Sequence, residues 1–72
     1  MIEKQLGRRI AELRKAKKYT QEKLAEKTGY SVEFISLVER GVNAPSVAGC
    51  AQVAKALGVS VAELFTFKEA QR

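Results

Sequence analysis

A single glycine, Gly29, separates two short amphipathic runs in the segment TQEKLAEKTGYSVEFISLVERG, residues 20–41. Each run opens with a hydroxyl residue, Thr20 or Ser31, which can accept a hydrogen bond from the free backbone N–H groups of a helix start. A tyrosine stands directly before each cap, and a large apolar residue stands four positions after each cap. This is the pattern of a hydrophobic staple. Glycine ends a helix readily because it adopts the left-handed conformation at little cost. The segment therefore predicts two short helices held at a steep angle.

The same signals predict three further helices. Apolar residues recur at helical spacing within residues 2–17, with charged residues between them. Ser46 can cap a fourth helix that ends at Gly58, and Ser60 with Glu63 forms a capping box for a short fifth helix. No alternating strand pattern occurs. The predicted fold class is all-α, with five helices joined by short loops.

Length and residue types limit the possible functions. At 72 residues the chain forms one domain, which we assign to residues 1–67, followed by a frayed tail at 68–72. One cysteine and no histidine exclude an intramolecular disulfide, a Cys/His metal site and the common Ser-His-Asp or Cys-His catalytic arrangements. We therefore expect no enzyme activity and no cofactor. Cys50 is interpreted as a small core residue, with a reactive thiol as the alternative.

Positive charge is concentrated in the first part of the chain. The formal net charge is +5. Residues 1–27 contain nine Lys or Arg against four Glu, whereas residues 28–72 contain four charges of each sign. A one-sided basic surface suits a polyanion such as a nucleic acid, but small domains also use basic charge for solubility alone. Both interpretations stay open at this point.

The third predicted helix has two different sides. At about 100° per residue, Ile35 and Val38 face the core. The opposite side is a continuous stripe formed by Val32, Glu33, Ser36, Leu37 and Arg40. Two large apolar residues are unusual on a face that only meets water, although single exposed apolar residues are normal. Two capped helices with a glycine between them favour a helix-turn-helix, whose second helix enters the major groove of DNA.

Residues 6–65 resemble the phage-repressor and Cro-like helix-turn-helix family, of the xenobiotic-response-element type. Within that family the stand-alone controller proteins of restriction–modification systems are the most similar in appearance. The motifs TQEKLAEKTG, ISLVERG, APS and AKALGVS occur in the family's order and spacing. The resemblance implies a five-helix repressor-type domain that dimerises, binds pseudo-palindromic operators and regulates transcription.

The resemblance also implies roles for individual residues. The base-reading positions are Ser31, Val32, Glu33, Ser36 and Leu37; the phosphate contacts are Gln21 and Arg40; and Arg14 with Glu39 forms an ion pair between the first and third helices. Val32 and Leu37 can pack on thymine methyl groups, and Glu33 can accept from cytosine N4. Glu33 could equally be a favourable acid in the first turn of its helix.

Three features depart from the family, which often has Gln, Arg, Asn or Thr at the base-reading positions named above. Lys18 stands where glycine is common, so we expect either a different first turn or a gain from a nearby phosphate, which makes Lys18 a third candidate phosphate contact. In the fourth helix the side predicted to face the core is Val47, Cys50, Val53, Ala54 and Leu57. The outer face of this helix is predicted to be smooth, formed by Ala48, Gly49 and Ala56. It could allow a close protein contact, or it could have no binding role.

Three apolar residues near the end of the chain, Leu64, Phe65 and Phe67, suggest a dimer interface, with closure of the monomer core as the alternative. The expected partners are double-stranded DNA and a second copy of the chain, with RNA polymerase as a further candidate. No apolar run reaches the length of a membrane span, and no signal peptide is evident, so we expect a cytoplasmic, nucleoid-associated protein. The alternative function is an antitoxin-like module that binds a partner protein as well as DNA.

Overall fold

The computed structural model describes residues 1–67, which form five α-helices and no strand. The helices are α1 (Ile2–Ala16), α2 (Gln21–Thr28), α3 (Val32–Glu39), α4 (Val47–Leu57) and α5 (Val61–Leu64). The all-α, five-helix prediction is confirmed for this part of the chain. The tail predicted at 68–72 lies outside the described residues. Among residues 1–67, no helix combines the length and apolar character that crossing a membrane requires.

Local capping chemistry begins and ends most of these helices where it was predicted. The hydroxyls of the residues before α2, α3, α4 and α5 each accept from the backbone N–H three positions later; these residues are Thr20, Ser31, Ser46 and Ser60. Glu63 completes the capping box by accepting from the Ser60 N–H at 2.8 Å. Gly29 and Gly58 end α2 and α4 in the left-handed conformation, with φ of 84° and 73°. These bonds satisfy helix-end groups that have no partner within the helix.

One core receives side chains from all five helices. Its members within the described residues are Leu6, Ile10, Leu24, Ala25, Ile35, Val38, Cys50, Val53, Ala54, Leu57 and Leu64. Full burial of each large aliphatic side chain stabilises the fold by roughly 1.5–3 kcal/mol. The prediction that Ile35 and Val38 face the core is confirmed. Burial raises the pKa of the Cys50 thiol, so the group stays protonated and acts as a small core residue, as interpreted from sequence.

A glycine allows α1 to approach the end of α3 closely. A Cβ atom at Gly7 would overlap the carbonyl oxygen of Val38 and would lie 2.8 Å from that of Glu39. Backbone atoms cannot move aside as a flexible side chain can, so only glycine fits this crossing. Arg14 lies two helical turns beyond Gly7 and therefore faces the same neighbour. The close crossing brings Arg14 within reach of the last turn of α3.

The prediction for the sides of α4 is partly wrong. Val47, assigned to the core side, is 90% exposed. Gly49, assigned to the outer face, is buried, and a Cβ there would overlap the hydroxyl of Tyr30. Ala56, also assigned outward, packs partly buried against the core. The buried side of α4 therefore includes Gly49, because the Tyr30 side chain packs against α4 there.

Candidate nucleic-acid interface

The turn between α2 and α3 is fixed by its own side chains. Gly29 ends α2 with φ of 84°. Ala25 is buried, and its small side chain lets α3 cross α2 closely. The buried Thr28 hydroxyl donates to the carbonyl of Leu24 at 2.9 Å and accepts from the N–H of Tyr30 at 3.3 Å. We did not predict this role for Thr28, although a threonine just before a helix-ending glycine suggests a local bond to the backbone. The turn holds α3 at a set angle to α2.

The outer stripe of α3, defined as Val32, Glu33, Ser36, Leu37 and Arg40, lies on the accessible side of the helix. Val32 is 39% exposed, and Glu33 and Arg40 are exposed as well, whereas Ser36 and Leu37 are half-buried. Ser31 is exposed at the start of the helix, where its hydroxyl accepts from a backbone N–H. The residues predicted to read bases therefore form one surface.

The segment after α3 folds back over the end of the helix. The N–H groups of Val42 and Asn43 donate to the carbonyl of Leu37 at 2.9 and 3.3 Å. Gly41 makes the reversal with φ of 80°. Val42, two residues after Arg40, is 60% exposed, so an accessible apolar side chain follows the end of α3.

The predicted ion pair between Arg14 and Glu39 is present and nearly buried. The Arg14 guanidinium donates to both carboxylate oxygens, through Nε at 2.7 Å and Nη2 at 3.0 Å. The side chains are 11% and 7% exposed. The remaining Nη1 donates to the carbonyl of Tyr19 at 2.8 Å. One arginine thus fixes the end of α3 and the α1–α2 turn at the same time.

Gln21 joins this pair. Its Nε2 donates to Glu39 Oε1 at 3.0 Å, so the carboxamide is turned toward the end of α3. From sequence we expected only a phosphate contact for this side chain. One of the two amide hydrogens is now assigned to Glu39, and the other remains for a second acceptor. The backbone N–H of Gln21 stands at the helix start, where intrahelical acceptors are lacking.

Lys18 adopts the left-handed conformation that glycine usually supplies, with φ of 63°. The N–H of Tyr19 donates to the carbonyl of Arg14 at 3.0 Å, which completes a Schellman-type end to α1. The expectation of a different first turn is therefore wrong. A non-glycine residue in this conformation costs about 1–2 kcal/mol. Lys18 is exposed and lies three residues before Gln21, the first residue of α2.

The three residues predicted to form a dimer interface differ in accessibility. Leu64 is fully buried at 0% exposure, so it closes the monomer core and its assignment to an interface is wrong. Phe65 is 38% exposed, and Phe67 packs against it edge to face, with ring centroids 6.1 Å apart. Phe65 also lines a shallow apolar groove of about 270 Å³ with Ile2 and Val47. We had not predicted that Ile2 and Val47 would lie beside it.

Comparisons with known proteins agree with this arrangement. A helix-turn-helix family profile matches residues 10–64. The chain belongs to the helix-turn-helix family. In this helix-turn-helix domain α2 and α3 are the two helices of the motif, and the family resemblance predicted from sequence is confirmed.

Individual helix-turn-helix proteins are similar over most of their length. The HTH-type transcriptional regulator y4dJ of Sinorhizobium fredii is 40% identical over 65 residues, which cover 90% of this chain and 84% of that protein. The restriction-modification controller protein C.AhdI from Aeromonas hydrophila superposes with a TM-score of 0.83 at 35% identity, over 86% of this chain and 94% of that one. SinR, the master regulator for biofilm formation solved in complex with DNA, superposes with a TM-score of 0.77 at 38% identity. The superposed residues cover 82% of this chain and 95% of that one.

Proposed function

We propose that this helix-turn-helix domain is a sequence-specific DNA-binding regulator of transcription. The observation that supports it most is the outer stripe of α3, which presents apolar and polar side chains that the core does not use. The similar proteins are named as transcriptional regulators, and one of them was solved with DNA. The fixed turn at Gly29 allows α3 to enter a major groove while α2 crosses the backbone.

The chemistry of the stripe limits which bases it can read. Val32 and Leu37 are suited to thymine methyl groups, and Ser36 can donate to or accept from several bases. Glu33 can accept from cytosine N4, which compensates for its repulsion by nearby phosphates. A site rich in thymine on one strand is therefore expected near the middle of the helix contact. Val42 adds an apolar contact at the end of α3.

Three residues are proposed to hold the DNA backbone. Gln21 is the first residue of α2, where backbone N–H groups and the helix dipole favour an anion, and Lys18 lies three residues before it in the α1–α2 turn. Arg40 is the residue of the outer stripe that caps the C-terminal end of α3. These contacts set the position of α3 in the groove and supply affinity that does not depend on sequence.

Replacement of Arg40 by glutamine is expected to weaken binding to every duplex and to reduce the salt dependence. Each phosphate charge neutralised by the protein adds about one to the slope of log K against log salt concentration. We therefore expect the slope to fall by about one in Arg40→Gln, measured by fluorescence anisotropy over a range of salt. Lys55→Gln is the matched control, because Lys55 is exposed in the last turn of α4. Equal slopes for the two variants would contradict a phosphate contact at Arg40.

We also propose that the domain dimerises through the groove lined by Ile2, Val47 and Phe65. These side chains are 54%, 90% and 38% exposed, and grouped apolar exposure of this kind marks an interaction surface. A second copy is the simplest occupant, because a symmetric dimer would place two α3 helices on a pseudo-palindromic site about one helical turn apart.

Sedimentation equilibrium tests this proposal. The wild type is expected to be dimeric at tens of micromolar, and the double variant Phe65→Ala, Phe67→Ala is expected to be monomeric, because it removes the aromatic area at the groove. Val42→Ala, which changes an exposed apolar residue beside α3, is expected to remain dimeric. A wild type that stays monomeric at high micromolar concentration would exclude this dimer.

The same groove supports the second candidate function. An antitoxin-like protein would use the exposed Ile2, Val47 and Phe65 to hold a partner of different sequence. A monomeric wild type in sedimentation, with DNA binding retained, would favour that function over a homodimeric regulator.

A further inference from the structure

The Glu39 carboxylate accepts from two residues of different helices, Arg14 on α1 and Gln21 at the start of α2. We propose that Glu39 is a positioning residue for the Gln21 carboxamide, so that the Arg14–Glu39 pair controls DNA affinity as well as stability. The inference rests on the proposed function, since it concerns how one phosphate contact of that function is oriented.

Gln21 keeps two N–H donors besides the one bound to Glu39. A glutamine carboxamide has two N–H groups, of which one is bound to Glu39 Oε1 at 3.0 Å. With that bond made, the torsions of the long side chain are fixed and the second N–H has one direction. The backbone N–H of the same residue is at the first position of α2, without an intrahelical acceptor. Two donors of one residue can therefore meet one phosphate.

Arg14 offsets the negative charge of Glu39 next to the proposed phosphate contact. A lone carboxylate next to a phosphate would repel it, but Glu39 is bound by Nε and Nη2 of Arg14 and is 7% exposed. The pair has no net charge, so the phosphate meets only the amide. Within residues 1–67, the hydrogen bond that ties the Gln21 carboxamide to α3 is the one to Glu39 Oε1. Glu39 fills this role from the last residue of the helix.

The alternative is that Gln21 only completes a structural network. In that case removal of its side chain would not change DNA affinity beyond any effect on folding, or would change it equally with and without Glu39. Coupling between the two sites separates these possibilities, because residues that act through one another give non-additive effects.

The test compares four proteins on one operator duplex obtained by selection from random sequences. They are the wild type, Gln21→Ala, the pair replacement Arg14→Met, Glu39→Met, and the triple variant. The pair replacement removes one charge of each sign, so net charge is unchanged, and apolar residues of similar volume are tolerated well in place of buried ion pairs. Thermal melts first establish that each protein is folded at the assay temperature. If the pair replacement does not fold, Arg14→Leu, Glu39→Leu takes its place, because leucine also offers no acceptor to the Gln21 amide and net charge is again unchanged.

We expect Gln21→Ala to weaken binding about tenfold in the wild type, the effect of one lost hydrogen bond to a charged phosphate, and less than twofold in the pair-replaced protein. The salt slope should stay unchanged in both, since the amide carries no charge. Equal weakening in the two backgrounds would overturn the positioning role, and no weakening in either would show that Gln21 does not contact DNA. A wild type that selects no duplex would instead overturn the proposed function itself.

Discussion

Replacement of Arg14 by methionine is expected to lower the free energy of unfolding by about 3–5 kcal/mol. The loss follows from what remains in place. Glu39, 7% exposed, would keep its charge without a cation beside it, and the carbonyl of Tyr19 would lose its donor. Removal of one partner of a nearly buried ion pair is far more costly than loss of a surface pair, which contributes about 0–1 kcal/mol.

Urea denaturation followed by circular dichroism measures this change. Lys23→Met provides the surface comparison, because Lys23 pairs with Glu26 while both side chains are largely exposed, and its effect should be within about 0.5 kcal/mol. The double variant Arg14→Met, Glu39→Met should recover most of the loss, since no charge is left unpaired. An Arg14→Met protein as stable as Lys23→Met would contradict this cost and would mean that water solvates the Glu39 carboxylate once Arg14 is gone.

The helix ends could be predicted because their chemistry is local. A cap needs only a hydroxyl and the N–H three residues later, and both are visible in the sequence at Thr20, Ser31, Ser46 and Ser60. The two sides of α3 followed from its periodicity, since Ile35 and Val38 are buried while Val32 and Arg40 are not. The Arg14–Glu39 pair came from the family resemblance, because no rule of spacing joins residues on separate helices.

The errors concern close approaches between helices, which a linear pattern does not contain. Gly7 is required by the carbonyl of Val38, and Gly49 by the hydroxyl of Tyr30, so both depend on neighbours distant in sequence. Leu64 was predicted to lie in a dimer interface, but the short helix that begins at the Ser60 capping box places its side chain in the core. The second bond of Glu39, to Gln21, likewise appears only when α2 and α3 are packed together.

Leu37→Gln is expected to change which operators the protein prefers. Leu37 lies half-buried in the outer stripe, where an apolar side chain favours a thymine methyl group. A glutamine there would instead accept a hydrogen bond from adenine N6 and donate one to adenine N7. Discrimination at the contacted base pair should shift by about 1–3 kcal/mol, whereas general affinity for DNA should change little. Leu37 is not one of the fully buried core residues, so the fold should tolerate the change.

Selection from random duplexes, run in parallel on the wild type and Leu37→Gln, tests most directly whether α3 reads DNA. We predict a pseudo-palindromic motif for the wild type, with two half-sites about one helical turn apart, and a motif altered at one symmetric pair of positions for the variant. Identical motifs from both proteins, or no motif from the wild type, would contradict the assignment of the outer stripe as the reading surface.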